Sequence, residues 1–176
     1  MGTMNARFLL LSAALMVASP AQATVYLTVE QAQQLMFPGG SFQPDFRSIS
    51  DEQAASIERS CGVAIKGRQL KVWRVSGGGW FMVDEVIGDH DFIPFAVALD
   101  DRGVVKSVEI LEYSEYVGGD VRNPKWLAQF IGKQDGMSMV LDKDIQNISG
   151  ATLSSQHVTD GVRRLLAAYA ILLAHR

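Results

Sequence analysis

The chain has 176 residues, which suits one domain, because domains commonly run to about 100–150 residues around a single core. Hydrophobic residues make up 48% of the sequence and charged residues 20%, which is ordinary for a globular protein and excludes a low-complexity chain. The formal net charge of −3 offers no general attraction to nucleic acid, so no nucleic-acid partner is expected.

The first 23 residues follow the plan of a secretory signal peptide. Arg7 precedes an apolar run from Phe8 to Ala18, and Ala21-Gln22-Ala23 supplies a small-x-small cleavage site. A retained membrane anchor is the alternative, but the run is shorter than the roughly 20 apolar residues that cross a bilayer. We therefore predict a signal peptide at 1–23, a mature domain at 24–176 and a periplasmic or other extracytoplasmic location.

Two short helices and then a set of strands are predicted next along the chain. TVEQAQQLMF and SDEQAASIERS are helical in composition, Ser50 and Gln53 have capping-box spacing, and Gly62 supplies a stop. Four short segments rich in β-branched and aromatic residues follow: QLKVWRV, WFMVDEVI, FIPFAVAL and VVKSVEILEY. The connections between them are so short that neighbouring strands must run antiparallel.

The C-terminal part is predicted to be helical. NPKWLAQFIG reads as a short helix, and a long amphipathic helix ends the chain. Its apolar stripe, in steps of three and four, comprises Val158, Val162, Leu165, Leu166, Tyr169, Leu172 and Leu173. Asp160, Arg163 and Arg164 exclude a membrane span, because each costs about 2.5–3.5 kcal/mol at a bilayer centre. The predicted fold class is α+β, an antiparallel sheet of about four or more strands with helices packed on one side.

Several kinds of chemistry are disfavoured by what the sequence lacks. The glycines at 77–79 precede a strand-like segment and no Lys-Ser/Thr pair, so a hairpin turn is favoured over a phosphate loop. The three histidines have no second His or Cys at ligand spacing, so no metal site is expected. No G-x-S-x-G nucleophile elbow is present. The single cysteine, Cys61, has no partner for an internal disulfide and is expected to pack as a small hydrophobe, with a reactive thiol as the alternative.

The segment ISGATLSS at 148–155 concentrates small and hydroxyl-bearing residues where the last helix begins. A helix N-terminus presents backbone N–H groups without intrahelical partners and about half a positive charge. Gly150 and Ala151 leave room beside the backbone, and hydroxyls are supplied by Ser149, Thr152, Ser154 and Ser155. These features fit a phosphate site. The alternative is that Ser154 or Ser155 simply caps the helix while Gly150 makes the turn.

The run Ser149-Gly150-Ala151-Thr152-Leu153-Ser154-Ser155, followed by Val158, resembles the S-G-A-T-x-[ST]-S-x-x-V signature of the FMN-binding domain family. This family includes the G subunit of the Rnf complex and the C subunit of sodium-translocating NADH:quinone oxidoreductase. The resemblance implies FMN as cofactor, joined by a phosphoester bond to Thr152. It also implies a flavin transferase that installs the group from FAD outside the cytoplasm. The family motif has Asp three residues before the Ser, and here that position is Gln146.

A second segment supports the resemblance. LEYSEYVGG at 111–119 is similar to the family's strand that ends in E-T-x-G-x-G and lies near the flavin, which aligns Glu115 with the motif Glu and places Gly118 in the glycine-rich part. Because an isoalloxazine ring needs a partly aromatic slot, its predicted contacts are Tyr113, Tyr116, Trp126 and Phe130. The alternative for each aromatic residue is ordinary core packing.

The resemblance implies an exported FMN-binding electron-transfer flavoprotein that docks on a membrane or periplasmic redox partner. No substrate acid, base or nucleophile stands out, so an electron carrier is favoured over an enzyme. Two alternatives stay open: a flavin-free accessory or binding module on the same fold, for which Gln146 would mark lost modification, and a small flavin reductase with its own substrate.

Overall fold

The computed structural model describes residues 24–89, 91–113 and 119–174. Two groups of predictions concern residues outside these ranges. They are the signal peptide at 1–23 and the site residues Glu115, Tyr116 and Gly118, all of which stay predictions.

An antiparallel sheet forms the centre of the fold. The strands in the described part are β1 (Thr24–Val25), β2 (Phe42–Pro44), β3 (Arg47–Ser48), β4 (Gln69–Val75), β5 (Trp80–Ile87), β6 (Phe92–Leu99), β7 (Val105–Ile110) and β8 (Glu112–Tyr113). Five of them lie in the order β2-β4-β5-β6-β7, with β3 also paired to β4. All these pairs are antiparallel, as the short connections predict. A separate ribbon pairs β1 with β8.

The turn between β4 and β5 contains the three glycines at 77–79. Their φ angles are 86°, 103° and 103°, values that glycine adopts far more readily than other residues. The Val75 N–H donates to the Gly79 carbonyl at 3.1 Å, and the Gly78 N–H donates to the Val75 carbonyl at 3.2 Å. The predicted hairpin turn is confirmed.

Four α-helices are described: α1 (Val29–Met36), α2 (Asp51–Cys61), α3 (Pro124–Leu127) and α4 (Thr152–Leu172). A capping box starts α2, in which Ser50 and Gln53 each bind the other's backbone N–H, and Gly62 ends the helix with φ of 70°. Two 3-10 turns, Gly119–Arg122 and Ala128–Phe130, flank α3. Among the described helices, none combines the length and the apolar character that a membrane crossing requires.

Both faces of the sheet are covered by helices. On one face α2 and α4 belong to a core that contains Met82 and Phe95. On the other face α1 packs through Met36 onto Phe81 and Ala96. Successive strand side chains point to opposite faces, which is why adjacent residues of β5 join different clusters. The α+β class, the antiparallel sheet and the long C-terminal helix are confirmed. The prediction that the helices pack on one side holds for α2 and α4 but not for α1, whose apolar residues Ala32 and Met36 are buried on the opposite face.

Candidate functional site

The last helix begins earlier than a serine cap would place it. Gly150 has φ of 82°, and the Ala151 N–H closes a tight turn onto the Ile148 carbonyl at 2.9 Å. Helix α4 therefore starts at Thr152, with Ala151 as a capping residue that makes no side-chain hydrogen bond. The alternative in which Ser154 or Ser155 caps the helix is wrong, since both lie inside its first turn. The turn at Gly150 is confirmed.

The serine and threonine side chains of this segment divide into two groups. Ser155 Oγ donates to the Ala151 carbonyl at 2.9 Å and is buried. Ser154 Oγ lies 3.3 Å from the hydroxyl of Tyr113, and both residues are buried. Ser154 thus joins the start of α4 to β8 and Ser155 bonds within the first turn, whereas Ser149 and Thr152 are exposed.

Asn147 connects the preceding loop to Thr152. Its side-chain amide donates to Thr152 Oγ1 at 3.3 Å, and its Oδ1 accepts the Ile148 N–H at 2.8 Å. One side chain therefore both shapes the turn before Gly150 and orients the Thr152 hydroxyl. Because the amide is the donor, the Thr152 hydroxyl keeps its own proton for another acceptor.

Trp126 and Gln129 hold the loop that precedes Asn147. Trp126 Nε1 donates to the Gln146 carbonyl at 2.7 Å, and Gln129 Oε1 accepts the Gln146 N–H at 2.7 Å. Trp126 is buried and packs edge-on against Phe130, with ring centroids 5.3 Å apart. The backbone of Gln146 is thus fixed on both sides, while its side chain is exposed.

The nearest aspartates do not replace a carboxylate at 146. Asp144 accepts hydrogen bonds from the Ser138 hydroxyl and from the Val140 N–H, the latter at 3.0 Å. These bonds, led by that from Ser138, lower the pKa of the Asp144 carboxyl. Asp142 lies in the same loop, where its backbone takes a left-handed φ of 63°. The Asp144 carboxylate is thus engaged within the 138–144 loop.

The start of α4 suits a phosphate group. The N–H groups of Thr152 and Leu153 belong to the first turn, where no carbonyl within the helix can accept them, and no side chain caps the helix. Gly150 adds a turn without a side chain beside the exposed Thr152 hydroxyl. Together these groups fit the phosphate end of a nucleotide-like cofactor.

Three of the aromatic residues that are predicted to contact the flavin ring are buried in the core. Tyr113 is 3% exposed, Trp126 5% and Phe130 0%, so they support the site from behind. Their contact with a flavin ring stays a prediction, as do the roles of Glu115, Tyr116 and Gly118. Tyr113, at the end of β8, touches Ser154 at the start of α4. In the described ranges no group of three or more His, Cys, Asp or Glu residues could hold a metal ion.

Sequence reasoning missed two residues of this site. Gln129 and Asn147 act through hydrogen bonds to the loop backbone and to Thr152. A polar residue in a loop carries no periodic signal, and Gln129 meets a partner 17 positions away. Asn147 has a weak local signal, because Asn often binds its neighbouring backbone in turns.

Comparison with known proteins agrees with this geometry. Residues 88–167 match the model of the FMN-binding domain family. The structure resembles the C subunit of the Na(+)-translocating NADH-quinone reductase of Parabacteroides distasonis, with a TM-score of 0.58 and 15% identity, over 86% of this chain and 88% of that one. NqrC of Shewanella oneidensis gives a TM-score of 0.49 and 18% identity over 70% and 69% of the two chains. The comparison with curated proteins finds no match.

The family match covers β6, β7, the loop before α4 and most of α4, and so includes Thr152 and its surroundings. The first structural likeness extends the shared fold over most of the chain. Residues 88–167 therefore resemble the FMN-binding domain of this family, and this match supports FMN as the cofactor.

Proposed function

We propose that this protein is an electron-transfer flavoprotein that works outside the cytoplasm with FMN held by a phosphoester bond to Thr152. The observation that carries the proposal is the position of Thr152, an exposed hydroxyl at the first residue of a long helix that no side chain caps. The family match supplies the cofactor.

The residues around Thr152 have separate tasks in this proposal. The first-turn N–H groups of α4 and the helix dipole stabilise the phosphate charge. Gly150 gives the phosphate access to the backbone, and Asn147 holds Thr152 Oγ1 through its amide. Trp126 and Gln129 keep the loop in place from behind. The chain thus provides an anion site whose loop and helix start are fixed by hydrogen bonds.

A covalent bond to the protein would keep FMN in place after export. A chain that crosses a membrane unfolded cannot carry a tightly bound cofactor with it, and dilution outside removes a loosely held one. When bound, FMN supplies one-electron and two-electron redox chemistry, while the protein orients the cofactor and sets its environment. The proposed partners are therefore a flavin transferase for attachment and a redox protein at the membrane.

Two features support export and a membrane-side partner. The sequence at 1–23 has the plan of a signal peptide, and Thr24, the residue after the proposed cleavage, pairs with Tyr113 in the ribbon of β1 and β8. The structural relative from Parabacteroides distasonis is named as part of a Na(+)-translocating NADH-quinone reductase. By that likeness, this protein would exchange electrons with a component of a membrane redox complex.

The attachment is tested by in-gel fluorescence. The protein is co-expressed with a flavin transferase in an exported form, denatured and run on a gel. The band is expected to fluoresce, and Thr152→Val to be dark. Ser149→Ala is the matched control, because Ser149 is the other exposed hydroxyl of the turn, and it is expected to stay bright. A dark wild type, or a bright Thr152→Val band, would contradict the attachment to Thr152.

Gln146 distinguishes the carrier from a flavin-free module. Its side chain is exposed and its backbone is fixed by Trp126 and Gln129, so Gln146→Asp should fold as the wild type does. For a carrier, the wild type already contains flavin and Gln146→Asp at most speeds its attachment. If flavin appears only in Gln146→Asp, the natural chain is an accessory module. Turnover with a soluble acceptor and no protein partner would instead favour the flavin reductase.

A further inference from the structure

Residues 24–27 form an N-terminal strap that lies along segment 111–113. The first two residues of the strap are β1, which pairs with β8. The N–H groups of Tyr26 and Leu27 then both donate to the Leu111 carbonyl, at 2.9 and 3.2 Å. The strap is thus bound to this segment through its backbone.

Tyr26 also binds through its side chain. Its hydroxyl donates to the Tyr113 carbonyl at 3.4 Å. The guanidinium of Arg122 lies over its ring, 4.0 Å from the centroid, and a cation in this position is attracted to the aromatic face. Tyr26 is half-buried and packs against the core that contains Tyr113 and the buried side of α4. It therefore joins the strap to β8 and to the 3-10 turn that ends at Arg122.

Tyr113 extends this set of contacts to the start of α4. Its hydroxyl lies 3.3 Å from Ser154 Oγ, and both residues are buried. Ser154 follows Thr152 by two positions and belongs to the first turn of the helix. The contacts therefore run from Arg122 through Tyr26 and Tyr113 to a residue beside the proposed attachment point.

The position of β8 depends on the strap. In the part of the chain that the structure describes, β8 has two residues and pairs with β1 outside the larger sheet. A two-stranded ribbon of this length has little stability of its own. The side-chain contacts of Tyr26 are therefore expected to contribute to holding the Tyr113 backbone in one place.

We propose that Tyr26 is a positioning residue for flavin attachment. It holds Tyr113, and through Tyr113 and Ser154 it holds the first turn of α4 in the arrangement that presents Thr152. This inference rests on the proposed attachment of FMN to Thr152. The Thr152 hydroxyl remains the reacting group, and its placement matters because small displacements of a reacting atom lower the rate.

The rate of flavin incorporation tests the role of Tyr26. In a time course of in-gel fluorescence with purified transferase and FAD, Tyr26→Ala should be slower than the wild type by about three- to tenfold, as the loss of one or two weak contacts would cause. Tyr26→Phe keeps the ring beneath Arg122 and loses only the long hydrogen bond to Tyr113. It should recover the rate to within about twofold of the wild type.

Phe46→Ala is the matched control. Phe46 is a 48% exposed aromatic residue whose ring meets Trp73 edge-on, with centroids 4.8 Å apart. Trp73 packs against the cluster that contains α1, on the face of the sheet opposite α4. Phe46→Ala should incorporate flavin as the wild type does, and the stability of both alanine variants is measured in urea for comparison.

A double variant tests the route through Ser154. If Tyr26 acts through Ser154, the effects of Tyr26→Ala and Ser154→Ala on the incorporation rate should be clearly less than additive. Hydrogen exchange gives a second readout, because the Ser155 N–H donates to the Ala151 carbonyl at 2.9 Å within the first turn. In flavin-free protein, Tyr26→Ala should speed the exchange of this amide by about three- to tenfold, and Phe46→Ala should leave it unchanged.

The two readouts separate the positioning from the attachment. A wild type that takes up no flavin contradicts the attachment to Thr152, whereas the exchange of the Ser155 amide still tests the positioning. Unchanged exchange in Tyr26→Ala would overturn the proposal. So would unchanged incorporation in Tyr26→Ala, an equal loss in Phe46→Ala, or additive effects of Tyr26→Ala and Ser154→Ala.

Discussion

At the residue scale, the hydroxyl groups at the start of α4 differ in their hydrogen-bond partners and in their exposure to solvent. Ser155 and Thr159 donate to carbonyls one turn earlier, at 2.9 and 2.7 Å, and Ser154 meets Tyr113. Their hydrogen bonds are satisfied inside the protein, where an unmade bond is costly. Thr152 is left exposed, with an amide donor from Asn147 and a free approach from solvent. Exposure therefore distinguishes Thr152 from the other hydroxyls in the first turns of α4.

Asn147 is expected to speed flavin attachment by orienting Thr152. Asn147→Ala should slow flavin incorporation by about three- to tenfold, because it removes one hydrogen bond to Thr152 worth about 0.5–1.5 kcal/mol. The measurement is the time course of in-gel fluorescence with purified transferase and FAD. Gln134→Ala, at an exposed loop residue, serves as the control.

Asn147→Asp separates positioning from loop structure. The aspartate can still accept the Ile148 N–H and keep the turn, but it has no amide to donate to Thr152. We expect it to incorporate flavin as slowly as Asn147→Ala. An Asn147→Asp variant as fast as the wild type would show that Asn147 only shapes the loop.

The Asp144 carboxylate is expected to stabilise its loop in a pH-dependent way. Hydrogen bonds from Ser138 and Val140 hold the pKa of Asp144 below its usual value. The carboxylate therefore stabilises the 138–144 loop above the unfolded pKa of about 3.9, and that contribution is lost as the pH falls through the lower, folded-state pKa. In an NMR titration the Val140 amide should shift with a midpoint below the ordinary Asp value. Asp144→Asn should remove this transition, and a midpoint at or above the ordinary value would contradict the assignment.

At the element scale, α4 is fitted closely to the sheet. Gly161 lies where the helix crosses β5 and β6, and a Cβ built there would be 2.6 Å from Phe95 Cζ and 2.8 Å from Val86 Cγ1. Further along, Arg164 ties the helix to Asp84 on β5. The glycine allows close approach and the ion pair sits beside it, so the helix that presents Thr152 is held along its length.

Gly161→Ala should destabilise the protein in spite of the higher helix propensity of alanine. Overpacking of a tight contact costs about 1–3 kcal/mol, whereas replacing glycine in a helix gains about 1 kcal/mol. We expect a net loss of up to about 2 kcal/mol in the free energy of unfolding, measured in urea. Gly67→Ala is the control, since nothing lies within 4 Å of its Cβ, and it should change stability by less than about 0.5 kcal/mol. Equal stability of the two variants would contradict the close fit.

Strands with local signals could be predicted from the sequence, and strands without them could not. β4, β5 and β6 begin and end at the same residues as the predicted segments QLKVWRV, WFMVDEVI and FIPFAVAL. The sequence predicts these bounds because each apolar segment is flanked by turn-forming residues. β2 and β3 have three and two residues, and Phe42 pairs with the distant Val75. Such short strands are defined by their partners, so local composition did not reveal them.

The same distinction holds for the site. The S-G-A-T segment is recognisable from the sequence because its residues are contiguous, and it indicates Thr152. The start of α4 was misplaced in the capping alternative, because the left-handed turn at Gly150 starts the helix before either serine. The loop supports from Gln129 and Trp126 depend on contacts across 17 and 20 positions, which no local pattern encodes.

At the scale of the whole molecule, the first described residues connect to the site. β1 begins at Thr24 and pairs with β8, Tyr26 donates to the Tyr113 carbonyl at 3.4 Å, and Tyr113 meets Ser154. The guanidinium of Arg122 also lies over the Tyr26 ring at 4.0 Å. The start of the proposed mature chain thus packs against the strand that supports α4.

This arrangement makes the position of signal cleavage testable. Cleavage after Ala23 leaves Thr24 as the first residue and keeps the whole of β1, whereas cleavage a few residues later would remove the partner of β8. N-terminal sequencing of the exported protein should therefore read Thr-Val-Tyr-Leu. Ala23→Glu removes a small residue that the cleavage site requires and should leave the precursor at its full mass. A wild-type chain that keeps residues 1–23 would contradict the signal peptide, and a mature chain that starts beyond Val25 yet stays folded would show that the β1 ribbon is dispensable.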